Sequence, residues 1–171
     1  AAQSMVGESW DWPEQWYSTN IIAKVKLHKF LLNKDFFEKY IRISTPEVYG
    51  NCTQLVKENT KYNPSTPYAV SQASIDMSLK AFFENYQFPV IINRFANFYG
   101  PFQQIYRIIP KAILCSFLKL KLPLHGQGKS IRSFINYKDV NSAILKSIKN
   151  GTNGEIYHFS TDEFISILDL L

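Results

Sequence analysis

The sequence has little that would tie it to disulfides, metals or membranes. Its two cysteines, Cys52 and Cys115, stand far apart with no Cys-x-x-Cys pair, which excludes a disulfide framework and the common zinc spacings. No metal site is expected. No apolar run approaches the roughly 20 residues of a bilayer span, so no membrane partner is expected either. No signal-peptide pattern precedes the first helix-like segment, and a cytoplasmic location is the expectation. Basic residues outnumber acidic ones by 19 to 14, but they are scattered rather than gathered into a run, which argues against a nucleic-acid arm. Glycines number only seven, and none forms the Gly-x-x-Gly-x-x-Gly loop that cradles a dinucleotide pyrophosphate at a helix start. Both ends read as cut through structure, with the last residues, Leu168-Asp169-Leu170-Leu171, inside an apolar helical pattern.

What is present reads as a soluble globular chain of 171 residues, 46% apolar and 19% charged, which suffices for a real core. Apolar steps of three and four predict a helix over 14–33. Tyr40-Ile41-Arg42-Ile43-Ser44 predicts a buried strand, and 50–67 a polar loop. Ser65-Thr66-Pro67 is a helix start, a hydroxyl cap followed by proline in the first turn, opening a helix that runs to about Tyr86. Strands follow at 88–93, 131–135 and 156–159, with helices at 107–119 and 137–149 and a last one beginning at Ile165. Such alternation predicts an α/β fold with a parallel sheet.

Three segments carry candidate chemistry. Ser44-Thr45-Pro46-Glu47-Val48-Tyr49-Gly50 follows a strand, where open α/β sheets bind ligands. A hydroxyl at Thr45 and a carboxylate at Glu47 can both reach a substrate there; equally, Thr45 can cap a turn and Glu47 be solvated. Tyr68 lies four residues before Gln72, on one helix face, as a reactive phenol or as packing. Arg94-Phe95-Ala96-Asn97-Phe98-Tyr99-Gly100-Pro101, with Arg107 and Arg132 downstream, offers guanidiniums whose planar fork suits phosphate, or merely a solvated surface.

In this order and spacing, the segments resemble the extended short-chain dehydrogenases of the nucleotide-sugar epimerase/dehydratase family, the 4,6-dehydratases in particular. Ala1-Ala2-Gln3-Ser4 looks like the family's segment beside the cofactor, Thr19-Asn20 like its helix asparagine, and Ser44 to Gly50 like its Ser-Thr-x-Glu-Val-Tyr-Gly signature. Asn63 to Ala69 matches the approach to its active tyrosine, and Gly154-Glu155-Ile156-Tyr157 continues the match. The resemblance implies the C-terminal part of a Rossmann-type sheet flanked by helices, plus part of a small substrate-binding domain. It assigns 1–100 and the returning helix 137–150 to the former, and 101–136 and 151–171 to the latter.

The resemblance further implies NAD as cofactor, with NADP open, and a nucleotide sugar as substrate. Cofactor binding would fall to Ala1, Ala2, Ser4, Asn20, Tyr68 and Gln72. Tyr68 would take a proton from a sugar hydroxyl that Thr45 also holds, and Glu47 would remove the proton beside the new ketone. Asn97, Arg107 and Arg132 would hold the pyrophosphate, with His125 near the base. A homodimer formed through the helices at 14–33 and 68–86 is implied as well.

Two positions depart from the pattern. The family's active helix reads Tyr-x-x-x-Lys, whereas Gln72 stands here. A unit charge at ~4 Å and an effective dielectric of ~20 is worth about 4 kcal/mol, or roughly three pKa units on the phenol. Pro46 stands where the dehydratases carry an aspartic acid that protonates the leaving hydroxyl, and Met5 where many relatives carry histidine. These departures motivate the alternative of a catalytically degenerate nucleotide-sugar-binding or regulatory homologue.

Overall fold

The computed structural model describes residues 2–52 and 54–171. They fall into two compact units, one made of 1–94 and 144–158, the other of 95–143 and 159–171.

In the first unit, short helices α1 (Glu8–Asp11) and α2 (Pro13–Tyr17) lead through a π-helical turn (Ser18–Ile22) into α3 (Ala23–Leu31). Strand β1 (Tyr40–Ser44) pairs in parallel with β2 (Val90–Phe95), Arg42 opposite Ile92 and Ser44 opposite Arg94. Strand β6 (Ile156–Phe159) lies on the other side of β2. The central strand β2 is buried along its whole length, as a parallel strand covered on both faces should be. It starts two residues later than the sequence pattern suggests, because Pro89 has no N–H to give a ladder. Phe88 instead anchors the core with Ile75, Leu79, Val90 and Ile92.

Helix α4 (Pro67–Tyr86) begins as the sequence predicts: Thr66 Oγ1 accepts from the Ala69 N–H at 3.1 Å, and Pro67 occupies the first turn. Gln87 ends it in the left-handed region. Helix α6 (Tyr137–Asn150) is tied to β2 by reciprocal bonds between Asn93 and Ser147 at 3.0 and 3.2 Å.

Buried between α3 and β1, His28 bonds Tyr40 through Nε2 at 3.1 Å and packs edge-on against Tyr40 and Phe82. Burial, with Arg42 and Lys24 adding like charge, lowers its pKa to about 4. The unfolded chain therefore binds this proton more readily than the fold does. Stability is full above the unfolded value near 6.5 and falls as the pH drops toward about 4. At pH 5 the loss from His28 should be about 2 kcal/mol, absent in His28→Phe, as urea titrations at pH 7.5 and 5 would show.

In the second unit, β3 (Asn97–Tyr99) pairs in parallel with β5 (Phe134–Asn136), and β4 (Ile131–Arg132) antiparallel with β7 (Ile165–Ser166). Helix α5 (Ile108–Phe117) and the terminal α7 (Ile167–Leu170) complete it. Two sequence expectations change here. The strand expected over 131–135 is split between two sheets at Ser133, whose Oγ is held against Thr161 at 3.0 Å. Ile165 joins β7 rather than opening a helix, which starts after Ser166 caps Asp169 at 3.0 Å.

Candidate active site

At the carboxyl end of β1 the chain turns into a 3-10 helix (Pro46–Tyr49). Thr45 is its N-cap, half-buried, with Oγ1 accepting from the Glu47 N–H at 3.3 Å. Pro46 supplies the fixed φ of the first helical position and has no proton to donate. Glu47 is exposed, whereas Val48 and Tyr49 are buried against Ala73 of α4. This turn and α4 are therefore packed together, and Ser44 adds a buried hydroxyl bond to Asp76.

The turn ends at Gly50, with φ +72° and ψ −150°, a region open essentially to glycine alone. A Cβ there would also lie 2.3 Å from the Asn63 carbonyl oxygen. Gly50→Ala should cost about 1–3 kcal/mol and loosen the 50–63 loop, checked by urea midpoint and by proteolysis within that loop.

Tyr68 sits half-buried in the first turn of α4. Its backbone N–H donates to Ser9 Oγ at 3.2 Å, and its carbonyl accepts from Ser71 Oγ at 2.7 Å. Asn20 extends this set. Its amide donates to Ser71 Oγ and to the Gln3 carbonyl, at 3.0 and 2.9 Å, and accepts from the Gln3 N–H at 3.0 Å. Asn20 is fully buried, its amide engaged by Gln3 and Ser71. It clamps the backbone at Gln3, between Ala2 and Ser4, to the helix that carries Tyr68. Ala2 is exposed and Ser4 half-buried, while Ala1 lies outside the described residues.

One helical stripe below Tyr68 come Gln72 and Asp76, 3% and 0% exposed. Gln72 Oε1 accepts from Arg42 Nη2 at 2.5 Å. Arg42 Nε reaches Asp76 Oδ1 at 3.0 Å, and Arg94 Nη2 reaches Asp76 Oδ2 at the same distance. Two buried guanidiniums thus share one carboxylate. Lys24 of α3 adds a half-buried ammonium, lowered to about 8 by burial and by Arg42, with Asp76 opposing. Arg94 also donates to the hydroxyls of Tyr49 and Tyr62 and lies 4.9 Å from each ring centroid. Burial pushes Tyr49 up to about 12 despite Arg94, so this phenol stays neutral and relays hydrogen bonds. It meets His158 Nε2 at 2.8 Å, and the His158 N–H donates to Glu58 at 3.2 Å, which fastens the 50–63 loop to β6.

The other candidates lie in the second unit, all exposed. Asn97 opens β3, Arg107 caps α5 over the Tyr106 ring, His125 opens a 3-10 turn (His125–Gly128), and Arg132 ends β4. An apolar groove in this unit, lined by Ile109, Ile113, Phe117 and Leu170 among others, includes none of the four.

Sequence reasoning singled out Thr45, Glu47, Tyr68 and Gln72, which the structure sets on the packed β1 end and α4, but it missed the buried charges beneath them. A signal existed: Tyr68, Gln72 and Asp76 recur at four-residue steps, and Arg42 alternates inward with Tyr40 and Ser44.

Comparison with known proteins agrees with this geometry. Residues 1–159 match the NAD dependent epimerase/dehydratase family. The chain is 39% identical to the dTDP-D-glucose 4,6-dehydratase of Bos taurus over 134 residues, 78% of this chain and 38% of that protein. It is 31% identical to the dTDP-glucose 4,6-dehydratase of Mycobacterium tuberculosis over 95% of this chain and 50% of that one. A dTDP-glucose 4,6-dehydratase from Streptomyces venezuelae, solved with NAD and TYD bound, superposes with a TM-score of 0.94 at 29% identity, covering 99% of this chain and 53% of that one. A UDP-glucuronic acid 4-epimerase from Bacillus cereus gives 0.93 at 27% identity over 99% of this chain and 55% of that one. The chain spans about half the length of such relatives, at most. On the family match and these superpositions, it belongs to the NAD dependent epimerase/dehydratase family and has that family's Rossmann-type α/β fold.

Proposed function

We propose that the protein is an NAD-dependent enzyme that oxidises a nucleotide-linked sugar by hydride transfer and then performs base-catalysed chemistry beside the new ketone. One observation carries the reading: Tyr68 and Gln72 share the face of α4 onto which the Thr45–Glu47 end of β1 is packed, through Ser44–Asp76 and through Val48 and Tyr49 on Ala73. Relatives solved with NAD and with nucleotide sugars support it.

The residues present fit a dinucleotide. Gln72 turns its oxygen to Arg42, which leaves the amide nitrogen as the donor end of the carboxamide, suited to a ribose hydroxyl. The Ala2–Ser4 backbone is pinned beside it through Asn20. NAD, when bound, supplies the hydride acceptor; NADP stays open. Tyr68 takes the proton from the sugar hydroxyl, Thr45 steadies that hydroxyl, and Glu47 removes the proton made acidic by the ketone. Asn97, Arg107 and Arg132 hold the substrate pyrophosphate and His125 its base. A donor for a leaving hydroxyl would have to come from a residue other than Pro46.

The domain assignment follows the same reading, with 1–100 and 137–150 serving the cofactor and 101–136 and 151–171 the substrate. A homodimer through the helices at 14–33 and 68–86 is favoured by their exposed apolar side chains, Ile22, Leu27 and Phe30 on one and Val70 and Met77 on the other. A cytoplasmic setting, free of nucleic acid, accords with the scattered charge. Among the described residues, no helix is long and apolar enough to cross a membrane.

The test, on the whole protein rather than on this chain alone, is calorimetric titration of NAD, then of dTDP- and UDP-sugars, followed by a single-turnover assay for reduced nicotinamide. Binding of both and formation of NADH are expected. No heat with either ligand refutes the reading, and binding without hydride transfer would favour the degenerate homologue.

A further inference from the structure

Arg42 is a costly residue where it stands. It lies mid-strand on β1, 5% exposed, facing α4, at a position where an apolar side chain would bury without desolvating a charge. Neutralising Asp76 does not require it, because Arg94 already pairs with that carboxylate at 3.0 Å. Arg42 is therefore the surplus cation of the cluster. What it does beyond Asp76 is grip Gln72, Nη2 to Oε1 at 2.5 Å, while Nη1 donates to the Ile43 carbonyl at 2.6 Å. A guanidinium only donates, so the contact fixes the carboxamide orientation: oxygen toward Arg42, and the amide nitrogen as the group left for a ligand.

We propose that Arg42 is a positioning residue of the active site: it locks Gln72 as a hydrogen-bond donor and supplies, from β1, a fixed positive charge beneath the helix face that bears Tyr68. A cation on a strand thus takes the place of one on the helix. The site then has a charge to favour the phenolate of Tyr68 and an oriented donor for the cofactor ribose; the second part rests on the cofactor reading above. The charged and titratable groups around Arg42 are Asp76 on α4, Lys24 and His28 on α3, Arg94 on β2, Tyr40 on β1 and Tyr62 of the 50–63 loop. Lys24 would become a better base once Arg42 is gone, so its charge partly offsets the loss.

The test uses Arg42→Met, Arg42→Lys and the double variant Arg42→Met/Gln72→Lys, with Tyr68→Phe in each background to isolate the Tyr68 phenol in an ultraviolet titration. That titration needs no cofactor, so it decides the charge role even if the cofactor reading fails. Arg42→Met keeps a balanced Asp76–Arg94 pair and should fold. It should raise the Tyr68 pKa by about one unit and weaken NADH binding about tenfold. Arg42→Lys keeps the charge without the fork and should retain the phenol titration while losing NADH affinity. The double variant should recover both to within about threefold of the parent. A folded Arg42→Met with unchanged phenol titration and unchanged NADH affinity overturns the proposal. If that variant does not fold, the double variant decides: a phenol titration like the parent's supports it, and one shifted upward overturns it.

Discussion

Asp76→Ala should lower the unfolding free energy by about 3–5 kcal/mol, the cost typical of removing one partner from a buried ion pair. The carboxylate is fully buried and serves two guanidiniums and a hydroxyl: Arg42 through Oδ1, Arg94 and Ser44 through Oδ2. Without it, two buried cations face each other with no counter-charge, and Ser44 loses its acceptor. Most of the penalty therefore comes from what remains, not from attraction lost. Asp76→Asn should fall in the same direction, since an amide keeps one acceptor but supplies no charge. The surface pair Lys80–Glu84, 3.7 Å apart and largely exposed, is the internal contrast: Glu84→Ala should leave stability unchanged within error. Urea unfolding of all three variants at neutral pH checks the ranking. An Asp76→Ala variant as stable as the parent would mean that the two arginines separate at no cost, which the burial of both opposes.

Tyr68→Phe should reduce hydride transfer by about 10²–10⁴-fold, the range a positioned general base contributes. The substitution keeps the ring and its packing at the half-buried start of α4 and deletes only the hydroxyl. The helix start itself is held by backbone bonds, from the Tyr68 N–H to Ser9 and from Ser71 to the Tyr68 carbonyl, which phenylalanine preserves. The single-turnover rate should thus collapse while the fold is kept. A loss of rate accompanied by an equal loss of binding would point to a binding role for the phenol. An unchanged rate would move the proton to another base, and Glu47 would be the next substitution to make.

The elements that local rules determine could be read directly from the sequence. Thr66 and Pro67 announce α4 because capping and a fixed φ act within a single turn. The buried alternation of β1 and the threefold and fourfold apolar steps of α6 are equally local. What escaped depends on partners far along the chain. The break at Ser133 is imposed by Thr161, 28 residues away, and β7 exists only because β4 pairs with it. Strand β3 is three residues long, too short for alternation to register. The same holds at the site. Thr45, Glu47, Tyr68 and Gln72 stood out as a motif, but Arg42 looked like an ordinary charged residue because its partners lie 30 and 34 residues downstream. The bonds of Asn20 to Gln3 and Ser71 were equally hidden, since they belong to no local pattern.

The π-helical turn at Ser18–Ile22 sets the timing of the helix that contains it. Trp16, Asn20 and His28 are all buried at multiples of four residues, yet an α-helix over-rotates by about 40° at every four-residue step. The wider turn absorbs part of that drift and keeps all three pointing inward. Its extra residue thus works as a phase shifter between the indole at one end and the imidazole at the other. Deleting one residue from 18–22 would restore regular winding and remove the wider turn that carries Asn20. The Asn20 clamp would then let go of Gln3 while the helix on either side kept its buried face.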